Sequence, residues 1–105
     1  MGQRPRDGAA AVKLVWTREA IRDLIEARSY VELDNPKAAA ELATRILKAA
    51  ERLIKNPELG QKGRLAGTRE IIVSGTSYLV PYRLHADHIE VLRVFRTKRE
   101  YPSGS

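Results

Sequence analysis

The chain has 105 residues, 43% of them hydrophobic, which suffices for one modest core and leaves nothing for a second domain. No stretch approaches the roughly 18 unbroken apolar residues of a membrane span. With no cysteine and two histidines, disulfides, thiolate metal sites, a cysteine nucleophile and a histidine-rich metal cage are all excluded.

The formal charge of +6 is unevenly placed. Residues 60–99 carry eight basic and three acidic side chains, whereas residues 19–59 carry seven basic and eight acidic ones. A basic C-terminal half favours an anionic partner, either nucleic acid or an acidic protein segment, and charge sign alone does not separate them.

Residues 1–10 mix Gly, Pro and charge without periodicity and read as a flexible arm ahead of a single domain over 11–102, with a tail at 103–105. Charges stand where a secretory signal needs an apolar core, so a cytoplasmic location is expected. Ala11–Trp16 is a short Val- and Leu-bearing run that suits a largely covered strand. Thr17 can cap a helix beginning at Arg18, with Glu19 favoured by the dipole of its first turn. Ile21, Leu24, Ile25, Arg28 and Val31 recur at steps of three and four on one face of that helix. Asn35 as cap and Pro36 at the first helical position start a second helix running to about Lys55. Its inner face is read as Ala39, Leu42, Ala43, Ile46, Leu47, Ala50, Leu53 and Ile54. Lys37, Glu41, Arg45, Lys48, Glu51, Arg52 and Lys55 face water. Neither helix carries the concentrated basic face that major-groove reading requires, so a free-standing DNA-binding protein is not expected.

Asn56-Pro57-Glu58-Leu59-Gly60 stops the second helix, and Gly60, Gly63 and Gly67 mark a turn-rich loop. From Arg69 the period changes to two: Arg69–Ser74, Ser77–Leu84 and Ile89–Arg96 read as an antiparallel meander joined at Gly75-Thr76 and at the His85–His88 turn. The last strand has apolar residues on both faces and belongs inside the sheet, and Pro81, lacking an N–H, requires a bulge or an unpaired edge. The expected fold is α+β, in the order β-α-α-β-β-β, with a helical hairpin on one face of a small, mostly antiparallel sheet.

Several pieces then look familiar together. Trp16, Asp34-Asn35-Pro36, Asn56-Pro57-Glu58-Leu59-Gly60, Gly67-Thr68-Arg69-Glu70-Ile71, Tyr82-Arg83-Leu84 and Val91-Leu92-Arg93-Val94-Phe95 resemble the RelE/ParE superfamily of type II toxins over residues 13–102. The resemblance implies a wrapping antitoxin: a ParD-like ribbon-helix-helix dimer in a hetero-oligomeric complex, through which DNA would be contacted indirectly. No cofactor and no membrane contact are implied. One branch of the superfamily cleaves mRNA on the ribosome and needs a base, a cation for the phosphorane and an acid for the leaving oxygen. The other, resembling ParE, inhibits DNA gyrase and lacks that set.

This chain leans towards the second branch. The position of a RelE-like catalytic Arg falls on Ser74, and the His that commonly follows Leu-Arg-Val is Arg96. Arg99 and Tyr101 do match nuclease pieces, so a nuclease reading would use Arg83, Arg93, Arg99 and Tyr101. A degenerate, non-toxic antitoxin-binding member is a further alternative.

Arg83 and Arg93, expected side by side on neighbouring strands, would form a target-binding surface with Arg96, Lys98, Arg99 and Tyr101. Pairing of Arg83 or Arg93 with Glu70 or Glu90 across strands is the competing reading. Antitoxin contacts are expected at Ile21, Leu24, Arg64, Arg69, Arg83 and Arg93. Arg69 and Glu70 are expected to pin the loop before the sheet. Trp16, Tyr30, Tyr78, Tyr82 and Phe95 fit core and helix-sheet packing better than base stacking. His85-Ala86-Asp87-His88 reads as a turn rather than a metal site.

Overall fold

A computed structural model describes residues 12–97. The elements, in chain order, are strand β1 (Lys13–Trp16), helices α1 (Arg18–Glu32) and α2 (Pro36–Lys55), and strands β2 (Gln61–Lys62), β3 (Arg69–Ile72), β4 (Tyr78–Leu84), β5 (His88–Val91) and β6 (Phe95–Arg96). The sheet runs β1-β5-β4-β3-β2, with β6 pairing against the start of β4. Only β1 and β5 are parallel, Leu14 opposite Ile89; the other pairs are antiparallel. No described helix is long and apolar enough to cross a membrane.

Local chemistry sets the helix ends. The Thr17 hydroxyl accepts from the Ala20 N–H at 3.0 Å and donates to the Leu92 carbonyl at 2.8 Å, so one side chain caps α1 and ties it to the sheet. The Asn35 side chain accepts from the Ala38 N–H at 3.0 Å, with Pro36 supplying a first residue that has no N–H to satisfy. Two antiparallel helices joined at such short range form a hairpin over one face of the sheet.

The core lies between hairpin and sheet. Ala20 and Ala27 of α1 and Ile46, Ala50 and Leu53 of α2 meet Ile71, Val73, Val80, Tyr82, Ile89, Val91 and Val94. Four of the six buried helix positions are alanine, and truncating Ile46 or Leu53 costs ~2–5 kcal/mol by cavity formation. The face of α1 is turned from the expected one, whereas that of α2 is as expected but narrower. Ile21 and Ile25 stand 48% and 58% exposed, and Leu47 and Ile54 are 40% and 41% exposed, while Leu24 is half-buried against the core. β1 is also less covered than expected: as an edge strand it exposes Lys13 and Val15 on one side.

The last strand differs more. Tyr82 pairs with Val91 and Leu79 with Phe95, so two residues of β4 face three, Leu92-Arg93-Val94, on the neighbouring chain. That is a β-bulge, and it splits the expected single strand into β5 and β6. Pro81 explains its place: its carbonyl accepts from the Leu92 N–H at 3.0 Å, but it has no N–H to complete a regular pair. Leu79 and Phe95, opposite one another in register, form a small second cluster. The β3–β4 connection spans residues 73–77 rather than a two-residue turn. In it the Thr76 N–H donates to the Val73 carbonyl at 3.1 Å, with Gly75 at φ 78°, which only glycine adopts at low cost.

Candidate interaction surface

The bulge sends Arg93 out of the sheet towards α1. Its Nε donates to Asp23 Oδ2 at 2.7 Å and its Nη2 to Oδ1 at 3.1 Å, and the Val94 N–H donates to Oδ2 at 2.9 Å. The guanidinium also lies 4.5 Å from the Phe95 ring centroid. Beside this fork, α1 and the β5–β6 segment enclose a groove of about 410 Å³, lined by Asp23, Glu26, Tyr30, Tyr78, Phe95 and Arg96 among others. The Arg96 guanidinium stands 5.7 Å from the Tyr30 ring. Tyr30, 63% exposed, is thus a wall of the groove and not part of the core, whereas Tyr78, Tyr82 and Phe95 are buried as expected.

Arg83 and Arg93 are not brought together. Arg83 sits on the sheet face away from the helices, where its Nη2 donates to the Ala66 carbonyl at 3.4 Å, while Arg93 reaches to the helix side. The cross-strand pairings weighed for these residues are also not the ones formed. Glu90 is opposite Arg83 in register, but its Oε1 lies 2.8 Å from His85 Nε2. Glu70 receives the Arg64 N–H at 3.0 Å, and the Arg64 Nε lies 3.9 Å away.

Arg69 donates through Nη1 to the carbonyls of Gly60 at 2.8 Å and Glu58 at 3.3 Å, holding the 56–60 connector. The buried Tyr82 hydroxyl completes that clamp, donating to the Pro57 carbonyl at 2.7 Å and accepting from the Gly60 N–H at 2.8 Å. Burial pushes its pKa above the ordinary tyrosine value, against the opposing effect of the Gly60 bond. Ile21 is exposed on α1 beside half-buried Leu24. Lys98, Arg99 and Tyr101 lie outside the described residues.

His85 and His88 stack at 4.2 Å in the turn, at the opposite end of β5 from the bulge. The His88 hydrogen bond holds the Asp87 carboxyl below the usual range. Among the described residues no group of three His, Cys, Asp or Glu side chains could hold a metal ion. Asp23 is the residue that sequence reasoning missed. Nothing distinguishes it from Glu19 or Glu26 until the bulge brings Arg93 and the Val94 N–H onto it.

A helical hairpin on a sheet of this topology, with a bulged last strand against α1, defines the RelE/ParE class of type II toxin folds. A chain of the chromosomal ParDE toxin-antitoxin system from P. aeruginosa superposes with a TM-score of 0.77 at 23% identity, covering 84% of this chain and 98% of that one. A chain of the intact E. coli RelBE complex gives 0.62 at 14% identity, over 85% and 100%. In sequence, a Sinorhizobium fredii protein named as toxin Y4kP is 37% identical over 86% of this chain and 93% of its own length. Toxin RelE2 of Caulobacter vibrioides is 33% identical over 83% and 97%. The family model for ParE toxin of type II toxin-antitoxin system, parDE, matches residues 14–101, and the chain belongs to that family.

Proposed function

We propose that this ParE-family chain acts in the cytoplasm as a toxin that blocks DNA gyrase by binding, with no bond-making chemistry of its own, and that a ParD-like antitoxin keeps it inactive. The observation that carries the reading is the Asp23–Arg93 fork. The arginine that a nuclease would aim at a scissile phosphate is here committed to a carboxylate and a helix. The position that commonly carries histidine is Arg96, lying against Tyr30. What remains is a recognition groove that mixes aromatic walls with both signs of charge, and such a groove suits a protein segment. Arg96, with Lys98, Arg99 and Tyr101 from the segment that follows, would face the target.

The antitoxin would cover the exposed aliphatic side chains of the hairpin, Ile21 and Ile25 with Leu47 and Ile54, and set acidic groups near Arg64, Arg69 and Arg83. Both solved relatives above come from systems or complexes of toxin with antitoxin. Expression of the chain without antitoxin is expected to kill cells with induction of the SOS response and intact mRNA. Arg96→Ala and Arg99→Ala are expected to lower killing at least tenfold while antitoxin affinity is retained. Codon-positioned mRNA cleavage within minutes would instead establish the nuclease reading, and normal growth would establish a non-toxic member.

A further inference from the structure

We infer that the outer face of α2 is a binding surface for the phosphate backbone of duplex DNA. Lys37, Arg45, Lys48, Arg52 and Lys55 recur at steps of three, four, seven or eight residues and form a single stripe interrupted only by Glu41. All five are exposed. At 1.5 Å per residue the row is about 27 Å long. The near-neutral total of residues 19–59 conceals it, because most of the acidic side chains of that segment lie on α1 and in the connections, and the expectation that neither helix carries a concentrated basic face fails for α2.

Three observations separate this stripe from an ordinary solvated helix face. First, among the described residues no carboxylate forms an ion pair with any of the five, although Glu41 precedes Arg45, and Glu51 precedes Lys55, at the spacing that favours such pairs. The ion pairs that do form involve Asp23, Glu70, Asp87 and Glu90, on other surfaces. Second, helix stability does not account for the whole row. Arg52 and Lys55 in the last turn complement the dipole, but Lys37 stands in a first turn that has no acidic residue, where the dipole disfavours a cation. Third, the cations are held at fixed spacing on a 20-residue helix whose inner face is locked by Ile46, Ala50 and Leu53, and Arg45 donates from the stripe to the Ser74 carbonyl at 3.3 Å.

A row of cations anchored at regular helical intervals matches a regular row of phosphates. Single-stranded nucleic acid would call for stacking platforms, and α2 contains no aromatic residue. Contacts made to phosphates fix position and carry no sequence information, so the binding expected of this stripe is indifferent to sequence. This surface is separate from the α1–β6 groove, and the inference holds whether or not gyrase is the target.

The test is fluorescence anisotropy of the full-length chain with a labelled 20-base-pair duplex of arbitrary sequence, over a salt titration. Wild type is expected to bind with a log–log salt slope of about −4.5, as five phosphate contacts imply. Lys48→Gln with Arg52→Gln is expected to weaken binding at least tenfold and reduce the slope by about 2. Arg22→Gln with Arg28→Gln on α1, which removes the same charge elsewhere, is expected to stay within twofold of wild type. Circular dichroism identifies any variant that fails to fold, and Lys48→Arg with Lys55→Arg is expected to bind like wild type. No binding at 50 mM salt, equal losses in the two Gln pairs, or tighter binding to single-stranded DNA or to a 20-base-pair RNA duplex would overturn the inference.

Discussion

A carboxylate that receives both arms of a guanidinium and a backbone N–H holds three pieces of chain at once. Asp23 does this for α1, the Arg93 side chain and the bulge at Val94. Its side chain is 13% exposed and that of Arg93 42%, so solvent screens part of the interaction. Asp23→Ala is expected to lower stability by about 1–2 kcal/mol in urea unfolding, and a double-mutant cycle with Arg93→Ala should give a coupling near 1 kcal/mol. Additive losses would show that the fork contributes nothing as a pair. Tyr82→Phe leaves the Gly60 N–H and the Pro57 carbonyl without their buried partner, at about 1–3 kcal/mol. The pH dependence of that loss has a definite sign. Burial raises the Tyr82 pKa in the folded chain, so its contribution is complete below pH ~10, where the unfolded hydroxyl is neutral, and declines as pH climbs towards the folded value. The stability gap between wild type and Tyr82→Phe should therefore narrow above pH ~10 in unfolding measured across alkaline buffers. At this scale the caps Thr17 and Asn35 were legible because a cap acts within three residues of itself. Asp23 was not, because its partners lie 70 and 71 residues away.

Elements depend on where the chain can come close. Gly60 is buried where the connector crosses the sheet, and an added Cβ would meet the Glu70 carbonyl and the Tyr82 ring and hydroxyl, each at 2.7 Å. Gly60→Ala is expected to cost about 1–3 kcal/mol and lower the melting temperature by at least ~4 °C, since neither backbone nor a clamped tyrosine yields easily. An unchanged melt would mean that the connector shifts freely. Helix existence, the hairpin and the change to a period of two were all readable, being properties of consecutive residues. The inner face of α2 was readable apart from Leu47 and Ile54, but that of α1 was not, because Ala20 and Ala27 carry little weight beside Ile21 and Ile25 in a hydrophobicity pattern. Pro81 announced a bulge, but alternation in Ile89–Arg96 runs through both halves of the split strand and conceals the extra residue. The two-residue β2 has too little pattern to be seen.

For the molecule as a whole, net charge pointed to the sheet half, yet the fold disperses those cations: Arg93 turns to α1, Arg83 to the opposite face, and Arg69 into the connector. The unpaired row on α2 arises in the segment that is nearly neutral in sum, because helical geometry sorts charges that composition averages. Fold and family were legible from element order and scattered motifs together. The surface was not, since the partners of a cation are set by tertiary contacts. The proposed mode of action is occupation of gyrase and not cutting of RNA. The most direct measurement adds the purified full-length chain to gyrase relaxing-and-supercoiling reactions and, in parallel, to ribosomes programmed with mRNA. Occupation of gyrase is expected to abolish supercoiling at stoichiometric toxin with the mRNA uncut, whereas cleavage of A-site codons with supercoiling unaffected would refute it.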